Sequence, residues 1–517
     1  MYYLCNVNSS IIKDDLSTDL RLTQKQTLNN NYKIRKRMKR LFTSLKKSAS
    51  LIASLTLSGM FFNASAEKLS GNTAAEIAAM MTTGWNLGNT FDATNGSNNG
   101  YALDAETSWG QPKTTQEMIT AVRKAGFNTI RIPVSWGKHS NFKEDPENFT
   151  ISEEWMARVK EVVDYCYNED LFVILNIHHD NNSGNIIYTL KDDGKSEFFI
   201  RGVWRQIAEA FKDYDQHLIF EIMNEPRLVG TSYEWYFNPD EPPTQVIPAL
   251  EMLNKFNQIG VDEIRNNGSA ENKDRVIMCP GYAACKEGCM TSYFQLPTDE
   301  TPNRLALSLH AYRPYDLCLG SLSTWKDSYS NEIKTYFKDV YEKFIVGMGV
   351  PVIIGEESCS ARFKKIEYSN QEDRLKWVEA YYSVTKEYGM PAVLWDNNVF
   401  KSNKGEAHGH FNREELTWYD RPFIQKIMDV LGIQDVDNIS IDYSLSVGPN
   451  PASNNIYVSA DNELQNITIY TTSGARVLYK EISGNNAEVG ISMLNRGIYN
   501  AVVKTEYGVN VIKLILK

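Results

Sequence analysis

Short apolar runs recur along the chain from residue 84 onward, and most end in a polar or aromatic residue. A loop and a longer segment with the apolar spacing of an amphipathic helix follow each run. Eight runs fit this pattern: GWNLGN (84–89), TIRIPVSW (129–136), FVILNIHH (172–179), LIFEIMNEP (218–226), RVIMCPGYA (275–283), LALSLHAY (305–312), PVIIGEES (351–358) and AVLWDN (392–397). Strands that alternate with helices predict an α/β fold, a (β/α)8 TIM barrel over residues 72–434. An open doubly wound sheet is the alternative, but the Gly-rich phosphate loop usual in such a sheet is absent from the sequence.

The segment TTQEMITAVRKAG, residues 114–126, illustrates the predicted helices. Thr115 can cap the helix and Gly126 can end it. Its apolar residues fall on one face: Met118, Ile119, Val122 and Ala125.

The composition changes from about Val436. Short alternating runs of β-branched and aromatic residues are separated by Ser-Gly, Asn-Asn and Tyr-Gly turns. This pattern predicts a small all-β sandwich over residues 451–517. The turn-rich stretch VGPNPAS is interpreted as a connector that precedes the sandwich, and residues 435–450 are predicted to be a linker.

The N-terminal part has the pattern of a secretory signal. Residues 38–66 combine a basic start, an apolar stretch from Leu51 to Phe62, and small residues that predict cleavage near Ala66. A membrane anchor is the alternative, but the apolar stretch is shorter than the roughly 20 residues that span a bilayer. Residues 1–37 are polar and partly basic, so we expect a poorly ordered extension, with Met38 as the true start.

Net charge narrows the classes of partner. The first 66 residues carry 11 Lys and Arg against 3 Asp, so the remainder carries 43 Lys and Arg against 61 Asp and Glu. An acidic chain repels nucleic acid and suits a neutral partner. We therefore expect no nucleic-acid binding.

Cysteine spacing gives no metal motif. Beyond the leader the cysteines are Cys166, Cys279, Cys285, Cys289, Cys318 and Cys359. None forms a CxxC pair or has a His neighbour at zinc spacing. We expect buried thiols or one loop disulfide, and no metal or other cofactor.

Two carboxylates end predicted strands on opposite sides of the barrel. Glu225 follows the fourth run and Glu356 ends the seventh, so both would point into the mouth. Two carboxyl groups suffice to cleave a glycosidic bond, with about 5 Å between them for retention and roughly 6.5–9.5 Å for inversion. Other candidate residues stand at strand ends: Asn86, Arg131, His178, His179, Asn224, His310, Tyr312 and Trp395.

Arg131 lies in an apolar strand and must meet a carboxylate there. Glu356 is the candidate, and another acid in the barrel floor is the alternative. Adjacent His178 and His179 would face opposite ways on a strand, which argues against joint zinc ligation. Tryptophans near loop or strand ends can stack on sugar rings: Trp109, Trp136 and Trp395, with Trp325 undecided.

The strand-end motifs resemble those of glycoside hydrolase family 5, the retaining cellulases, in the right order over residues 72–432. The matching stretches are GWNLGNTFDA, ETSWGQPKTT, NTIRIPVSW, VILNIHHD, FEIMNEP, LSLHAY, VIIGEES and VLWDN. ETSWGQPKTT and HGHFNRE are most similar to the endo-acting β-glucanase branch, which includes cellulases and xyloglucanases. The nucleophile motif departs from the usual GEFG or GEMG, since GEESCS adds Glu357, which we expect to point away from Glu356.

The resemblance implies a role for each matched residue. Glu225 would be the acid/base and Glu356 the nucleophile, while Arg131 would hold and ionise Glu356. Asn224 would bind the sugar 2-hydroxyl and Trp395 would be a sugar platform. The remaining substrate-binding candidates are Asn86, His178, His179, His310 and Tyr312.

The C-terminal module resembles the sorting domain of the type IX secretion system of Bacteroidetes, in PNPAS, NITIYTTSGARV and GIYNAVVKTEYGVNVIKLILK. A carbohydrate-binding module is the alternative, weakened because this part of the chain lacks Trp. The resemblance implies type IX machinery as a partner and a secreted or outer-surface location.

These resemblances together imply a secreted, endo-acting, retaining β-1,4-glucanase that hydrolyses cellulose or related β-glucans by double displacement, as a monomer. Alternatives within the family are a xyloglucanase, mannanase or xylanase. An alternative of another class is a catalytically silent glycan-binding protein at the cell surface.

Overall fold

The computed structural model describes residues 68–94, 103–319, 324–361, 363–364, 367–368, 370–400, 407–433, 445–460, 463–471, 475–505 and 508–517. The predicted extension 1–37, the signal segment 38–66 and most of the predicted linker lie outside the described residues.

Eight parallel strands close into a barrel, which confirms the predicted fold. The strands are β1 Thr83–Asn86, β2 Thr129–Ile132, β3 Phe172–Asn176, β4 Leu218–Glu221, β5 Ile277–Pro280, β6 Leu305–His310, β7 Val352–Glu357 and β8 Ala392–Leu394. Neighbours in the chain pair with one another, and β8 pairs with β1 to close the ring. The C-terminal strand ends therefore share one mouth.

Helices follow the strands around the barrel. They are α1 Ala74–Met80, α2 Gln116–Lys124, α3 Glu153–Tyr167, α4 Ser196–Ala210, α5 Ile247–Asn266, α6 Ala270–Asp274, α7 Lys286–Met290, α8 Tyr315–Cys318, α9 Ser328–Val340, α10 Gln371–Tyr388 and α11 Arg421–Leu431. In α2, the Thr115 side chain accepts from the Met118 backbone N–H, as predicted. Within the described ranges, no helix combines the length and the apolar character needed to cross a bilayer.

The barrel interior changes from apolar to polar along the strands. Its lower part is filled by strand residues packed on α1: Ile174, Ile219, Met278, Ala306, Ile353 and Val393. Side chains alternate along a strand, so residues two positions further on face the same interior. Several of these are polar, including Asn176, Glu221 and Ser308, and all three are buried. The polar layer therefore lies directly below the mouth.

The C-terminal module is all β. Its strands are β9 Ser446–Gly448, β10 Asn455–Ser459, β11 Leu464–Thr471, β12 Arg476–Glu481, β13 Asn486–Gly490, β14 Gly497–Thr505 and β15 Gly508–Leu516. They form a three-stranded and a four-stranded sheet that share one apolar core. The first strand, β9, lies inside the stretch 435–450 that was predicted to be a linker. Because β9 pairs with β10, this part of the stretch belongs to the module.

The cysteines of the described part, Cys166 to Cys359, are all free thiols, and five of the six are buried. The sequence predicted buried thiols or one loop disulfide, and the described cysteines are mostly buried thiols.

Strand β7 contains an irregularity that aims Glu356 into the barrel. Its pairing register shifts on both sides, between Leu309 and His310 of β6 and between Ala392 and Leu394 of β8. A Cβ at the interior position Gly355 would lie 3.1 Å from His310 Nε2 and 3.2 Å from Glu221 Oε1. Glycine at this position therefore leaves room for the polar layer.

Glu357 points outward from the same strand, as the sequence predicted. It is fully buried, and the Tyr382 hydroxyl of α10 donates to its Oε1. Its Oε2 has no hydrogen-bond partner among the described residues. Burial raises the pKa of Glu357 to about 8, so the native protein keeps this carboxyl protonated at neutral pH.

Replacing Glu357 with Gln keeps an acceptor for Tyr382 and removes the titration. In the unfolded chain Glu357 ionises near its ordinary pKa of 4.5, whereas in the native protein it ionises near pH 8. The contribution of protonated Glu357 to the free energy of unfolding is therefore complete below pH 4.5 and is lost as the pH rises to about 8. We expect the unfolding free energy of E357Q minus that of wild type to grow by about 1.4 kcal/mol per pH unit in this window. Denaturant titrations at several pH values measure it. Parallel pH profiles of the two proteins would contradict this account.

Candidate active site

Arg131 of β2 is the centre of the polar layer and has no exposed surface. Its Nη1 donates to Glu356 Oε1 at 2.8 Å and to Asn86 Oδ1 at 3.0 Å. Its Nε donates to Glu221 Oε2 at 2.8 Å, and its Nη2 donates to Asn224 Oδ1 at 2.7 Å. The predicted partner Glu356 and a second acid in the barrel thus share one guanidinium.

Glu356 receives a second donor from outside its strand. The hydroxyl of Tyr312, in the loop after β6, donates to Glu356 Oε2 at 2.9 Å. Each carboxylate oxygen of Glu356 therefore has a donor, one from Arg131 and one from Tyr312. Such an arrangement stabilises a charged carboxylate in a fixed orientation.

Glu225 lies in the loop after β4, beside the last residue of β6. His310 Nδ1 is 2.9 Å from Glu225 Oε1 and 3.7 Å from Glu356 Oε2. Oxygen atoms of Glu225 and Glu356 lie within 4.8 Å of each other. The structure thus brings the two predicted carboxylates together across the mouth, with His310 between them.

The two carboxylates ionise as a pair. Burial raises the pKa of Glu356 against the pull of His310 and Arg131. Burial acts on Glu225 in the same direction, but the hydrogen bond and charge of His310 outweigh it and lower the pKa of Glu225. Burial alone would lower the pKa of His310, yet its carboxylate neighbours raise it to about 9. Burial of Glu356, together with the contact of His310 with Glu225, therefore favours a proton on Glu356 over one on Glu225 in the free site.

Glu221 is a site residue that the sequence reasoning missed. Burial opposes its charge, but Arg131 outweighs burial and lowers the pKa of Glu221 to about 2. Asn176 and Ser308 also donate to this carboxylate. A signal was available, since an acid in the apolar run LIFEIMNEP needs a cation as much as Arg131 needs an acid.

Asn86, predicted to bind substrate, is fully buried. Its Nδ2 donates to the carbonyl of Gly355 at 3.0 Å, while its Oδ1 accepts from Arg131. Its side chain therefore links β1 to the guanidinium and to β7. Asn224, the residue before Glu225, also uses its Oδ1 for Arg131 and is buried.

Aromatic rings lie on one side of the mouth. The rings of His178 and Trp395 are parallel within 2° at a centroid distance of 5.9 Å, and Trp395 is half-buried. Trp109 lies 5.7 Å from His179, ring to ring. Trp136 was expected to stack on sugar, which is wrong, because it is fully buried and its Nε1 donates to the Asn176 carbonyl.

His178 and His179 lie together, contrary to the strand argument. Their ring centroids are 4.3 Å apart, and ligand atoms of both fall within 4.8 Å of each other and of an Asp92 oxygen. Strand β3 ends at Asn176, so the alternation of a strand does not extend to these residues. Asn182 Nδ2 contacts His179 Nδ1 at 2.9 Å, which directs His179 Nε2 toward Asp92.

Two parts of the chain match known families. Residues 92–401 match the cellulase family, glycosyl hydrolase family 5. Residues 446–517 match the secretion system C-terminal sorting domain, in agreement with the predicted type IX module. The sorting domain indicates secretion or a location at the cell surface.

Similar proteins extend over most of the barrel. Endoglucanase A of Clostridium longisporum is 41% identical over 387 residues, 73% of this chain and 70% of that protein. The structure of a broad-specificity endoglucanase from Ruminococcus flavefaciens is 44% identical with a TM-score of 0.62, covering 71% of this chain and 100% of that chain. A xyloglucan-specific endo-β-1,4-glucanase from a metagenomic library, in complex with cellotriose, is 37% identical with a TM-score of 0.60, covering 68% and 98%. The chain belongs to glycosyl hydrolase family 5, the cellulase family, and is an endo-β-1,4-glucanase.

Proposed function

We propose that the enzyme hydrolyses β-1,4-glucans with retention of anomeric configuration, with Glu356 as nucleophile and Glu225 as acid/base. The observation that carries this proposal is the separation of the two carboxylates, whose oxygens lie within 4.8 Å. Retaining enzymes hold their carboxyl groups about 5–5.5 Å apart, whereas inverting enzymes leave roughly 6.5–9.5 Å for a water molecule. The spacing therefore supports double displacement.

In the first step, Glu356 attacks the anomeric carbon and Glu225 protonates the departing glycosidic oxygen. Arg131 and Tyr312 hold the two oxygens of Glu356 in place. In the second step, Glu225 takes a proton from a water molecule whose oxygen attacks the anomeric carbon, and the bond between that carbon and Glu356 breaks.

The first step needs a proton on Glu225, the reverse of what burial and the neighbouring groups favour in the free site. A glycosidic oxygen accepts a hydrogen bond only from protonated Glu225, while the donors on Glu356 match its carboxylate form. We therefore place the proton on Glu225 in the substrate complex. His310 Nδ1 lies within 3.7 Å of both carboxylates, so it can adjust to either arrangement.

The other site residues have one of two proposed roles: some hold the catalytic carboxylates in position, and others contact the sugar. Arg131 and Asn86 have no exposed surface, so we assign both to positioning Glu356 rather than to touching sugar. Asn224, His178, His179 and Trp395 lie at the mouth, where we assign them to substrate binding. His310 and Tyr312 contact the reacting carboxylates directly.

We propose a broad range of β-1,4-glucans as substrates, including xyloglucan. The similar proteins carry both descriptions, one as a broad-specificity endoglucanase and one as xyloglucan-specific. A silent glycan-binding protein would not need paired carboxylates with the donors seen on Glu356. Mannan and xylan are weaker candidates because the names of these relatives point to glucans.

We further propose that the chain consists of a catalytic barrel over residues 72–434 and a sorting module that follows a linker. A signal segment cleaved near Ala66 would deliver the chain to the periplasm, and the module would take it through type IX machinery to the outside. The enzyme would act there as a monomer. The match of residues 446–517 to the sorting-domain family supports this route.

The two carboxylates can be told apart by azide rescue. We expect E356A to lose hydrolysis altogether, and E225A to lose on the order of 10²–10⁴-fold on polymer. With an aryl cellobioside and azide, E225A should give the β-azide and E356A the α-azide, because azide replaces water in one case and Glu356 in the other. E357Q is the matched control and should retain activity. Hydrolysis by E356A at a near-normal rate would exclude it as nucleophile.

The stereochemistry and substrate range are measured on the wild type. Proton NMR of early cello-oligosaccharide cleavage should show the β-anomer first, since two displacements restore the configuration. A panel of carboxymethyl cellulose, lichenan, xyloglucan, glucomannan and xylan should give the highest rates on the three glucans. An initial α-anomer would refute retention, and a preference for xylan would refute the proposed range.

Removal of the module tests the secretion route. A chain ending at residue 433 should hydrolyse glucan in cell lysate, because the whole solved endoglucanase chain from Ruminococcus flavefaciens aligns with 71% of this chain. In the native host we expect its activity to stay inside the cell, while the full chain reaches the medium or the surface. Equal export of both chains would contradict the role of the module.

A further inference from the structure

Two large aromatic side chains are exposed side by side in the loop that follows Glu225. Trp235 is 55% exposed and Tyr236 is 63% exposed, whereas the next residue, Phe237, is buried. A single exposed apolar side chain is normal on a protein surface, but two adjacent exposed aromatic rings form an apolar patch, which is a feature of binding sites.

The loop holds these residues in place rather than leaving them loose. The Leu228 backbone N–H donates to the Tyr282 hydroxyl at 2.9 Å, and that hydroxyl donates to the Tyr233 carbonyl at 2.8 Å. Phe237 packs edge-on against the Tyr282 ring at 5.3 Å. Contacts on both sides of Trp235 therefore fix the backbone that presents it.

One face of the Trp235 ring rests on Arg227. The guanidinium carbon lies 4.0 Å from the ring centroid, and Arg227 is buried. Arg227 Nε donates to Glu234 Oε1 at 3.2 Å, and its Nη2 donates to Asn182 Oδ1. The stacked face is occupied, so the exposed area of the ring belongs to the other face and edge.

Arg227 also connects this ring to Glu225. Its Nη1 donates to the Glu225 carbonyl at 2.9 Å and lies 3.9 Å from Glu225 Oε2. The guanidinium of Arg227 thus contacts both the Trp235 ring and Glu225, the proposed acid/base. During cleavage, the leaving part of the glucan chain departs from the side of the proton donor, so a ring on this side faces the leaving part.

We propose that the open face of Trp235 is a platform for a glucose ring in the leaving-group part of the substrate. Pyranose rings stack their C–H faces on indole, and stacking needs no charge on the sugar. Arg227 would serve the platform by holding the indole at a fixed angle beside Glu225. The proposal rests on the proposed roles of Glu225 and Glu356.

The test compares a substrate that reaches the platform with one that does not. Cellohexaose has glucose units on both sides of the cleaved bond, whereas 4-nitrophenyl cellobioside has no sugar in its leaving group. We expect W235A to lose roughly tenfold in kcat/KM on cellohexaose, equivalent to about 1.4 kcal/mol. On the aryl cellobioside it should remain within about twofold of wild type. With cellohexaose labelled at its reducing end, we expect W235A to cleave closer to that end than wild type does. Its labelled leaving fragment should therefore contain fewer glucose units.

Controls separate a platform from a structural role. W235F should lose less than W235A, because phenyl still stacks on both Arg227 and sugar. Y293A removes an exposed aromatic with no contact to Glu225 and should match wild type. An equal loss on both substrates would overturn the platform and make Trp235 a support of Glu225. A wild-type rate and bond distribution in W235A would overturn it as well. Absence of cellohexaose cleavage by wild type would instead refute the proposed function.

Discussion

The site depends on one buried cation. Arg131 has no exposed surface, and its guanidinium contacts Asn86 of β1, Glu221 and Asn224 at the end of β4, and Glu356 of β7. A guanidinium in such a position is stable only because two carboxylates compensate its charge. Removing one partner of a buried ion pair typically costs about 3–5 kcal/mol. The contacts that orient Glu356 are therefore the same contacts that connect the ends of β1, β2, β4 and β7.

Strand-end positions could be read from the sequence because an apolar run followed by a polar residue has a fixed meaning in a parallel barrel. On this basis the sequence predicts Glu225, Glu356, His310 and Tyr312 at the mouth, where the structure has these four side chains in contact, and the buried Arg131 requires an acid. The register shift at Gly355 could not be read, since it depends on how neighbouring strands pair. Without that shift, regular alternation cannot place both Gly355 and Glu356 toward the interior.

Errors arose where the chain leaves the strand. Trp136 and the pair His178 and His179 follow their strands by a few residues, and the turn after the strand decides where each side chain points. The turn after β2 buries Trp136, and the turn after β3 brings both imidazoles to one side. Trp235 is a related case, because its position beside Glu225 results from a long loop whose path is set by Tyr282 and Arg227. The sequence shows which aromatic residues follow a strand, but tertiary contacts decide which of them are available to substrate.

Glu221 contributes to the charge balance around the pair Glu225 and Glu356. Its pKa of about 2 keeps it ionised, while Arg131 is cationic and His310, with a pKa of about 9, is cationic near neutral pH. These three groups carry one net positive charge, which a single ionised carboxylate in the pair neutralises. This charge count favours a proton on the other carboxylate, and the proposed mechanism needs that proton for the leaving oxygen. A neutral residue in place of Glu221 would leave two positive charges beside the pair, which favours ionisation of both carboxylates. In the proposed mechanism, an acid with no exposed surface thus helps to keep the proton donor protonated.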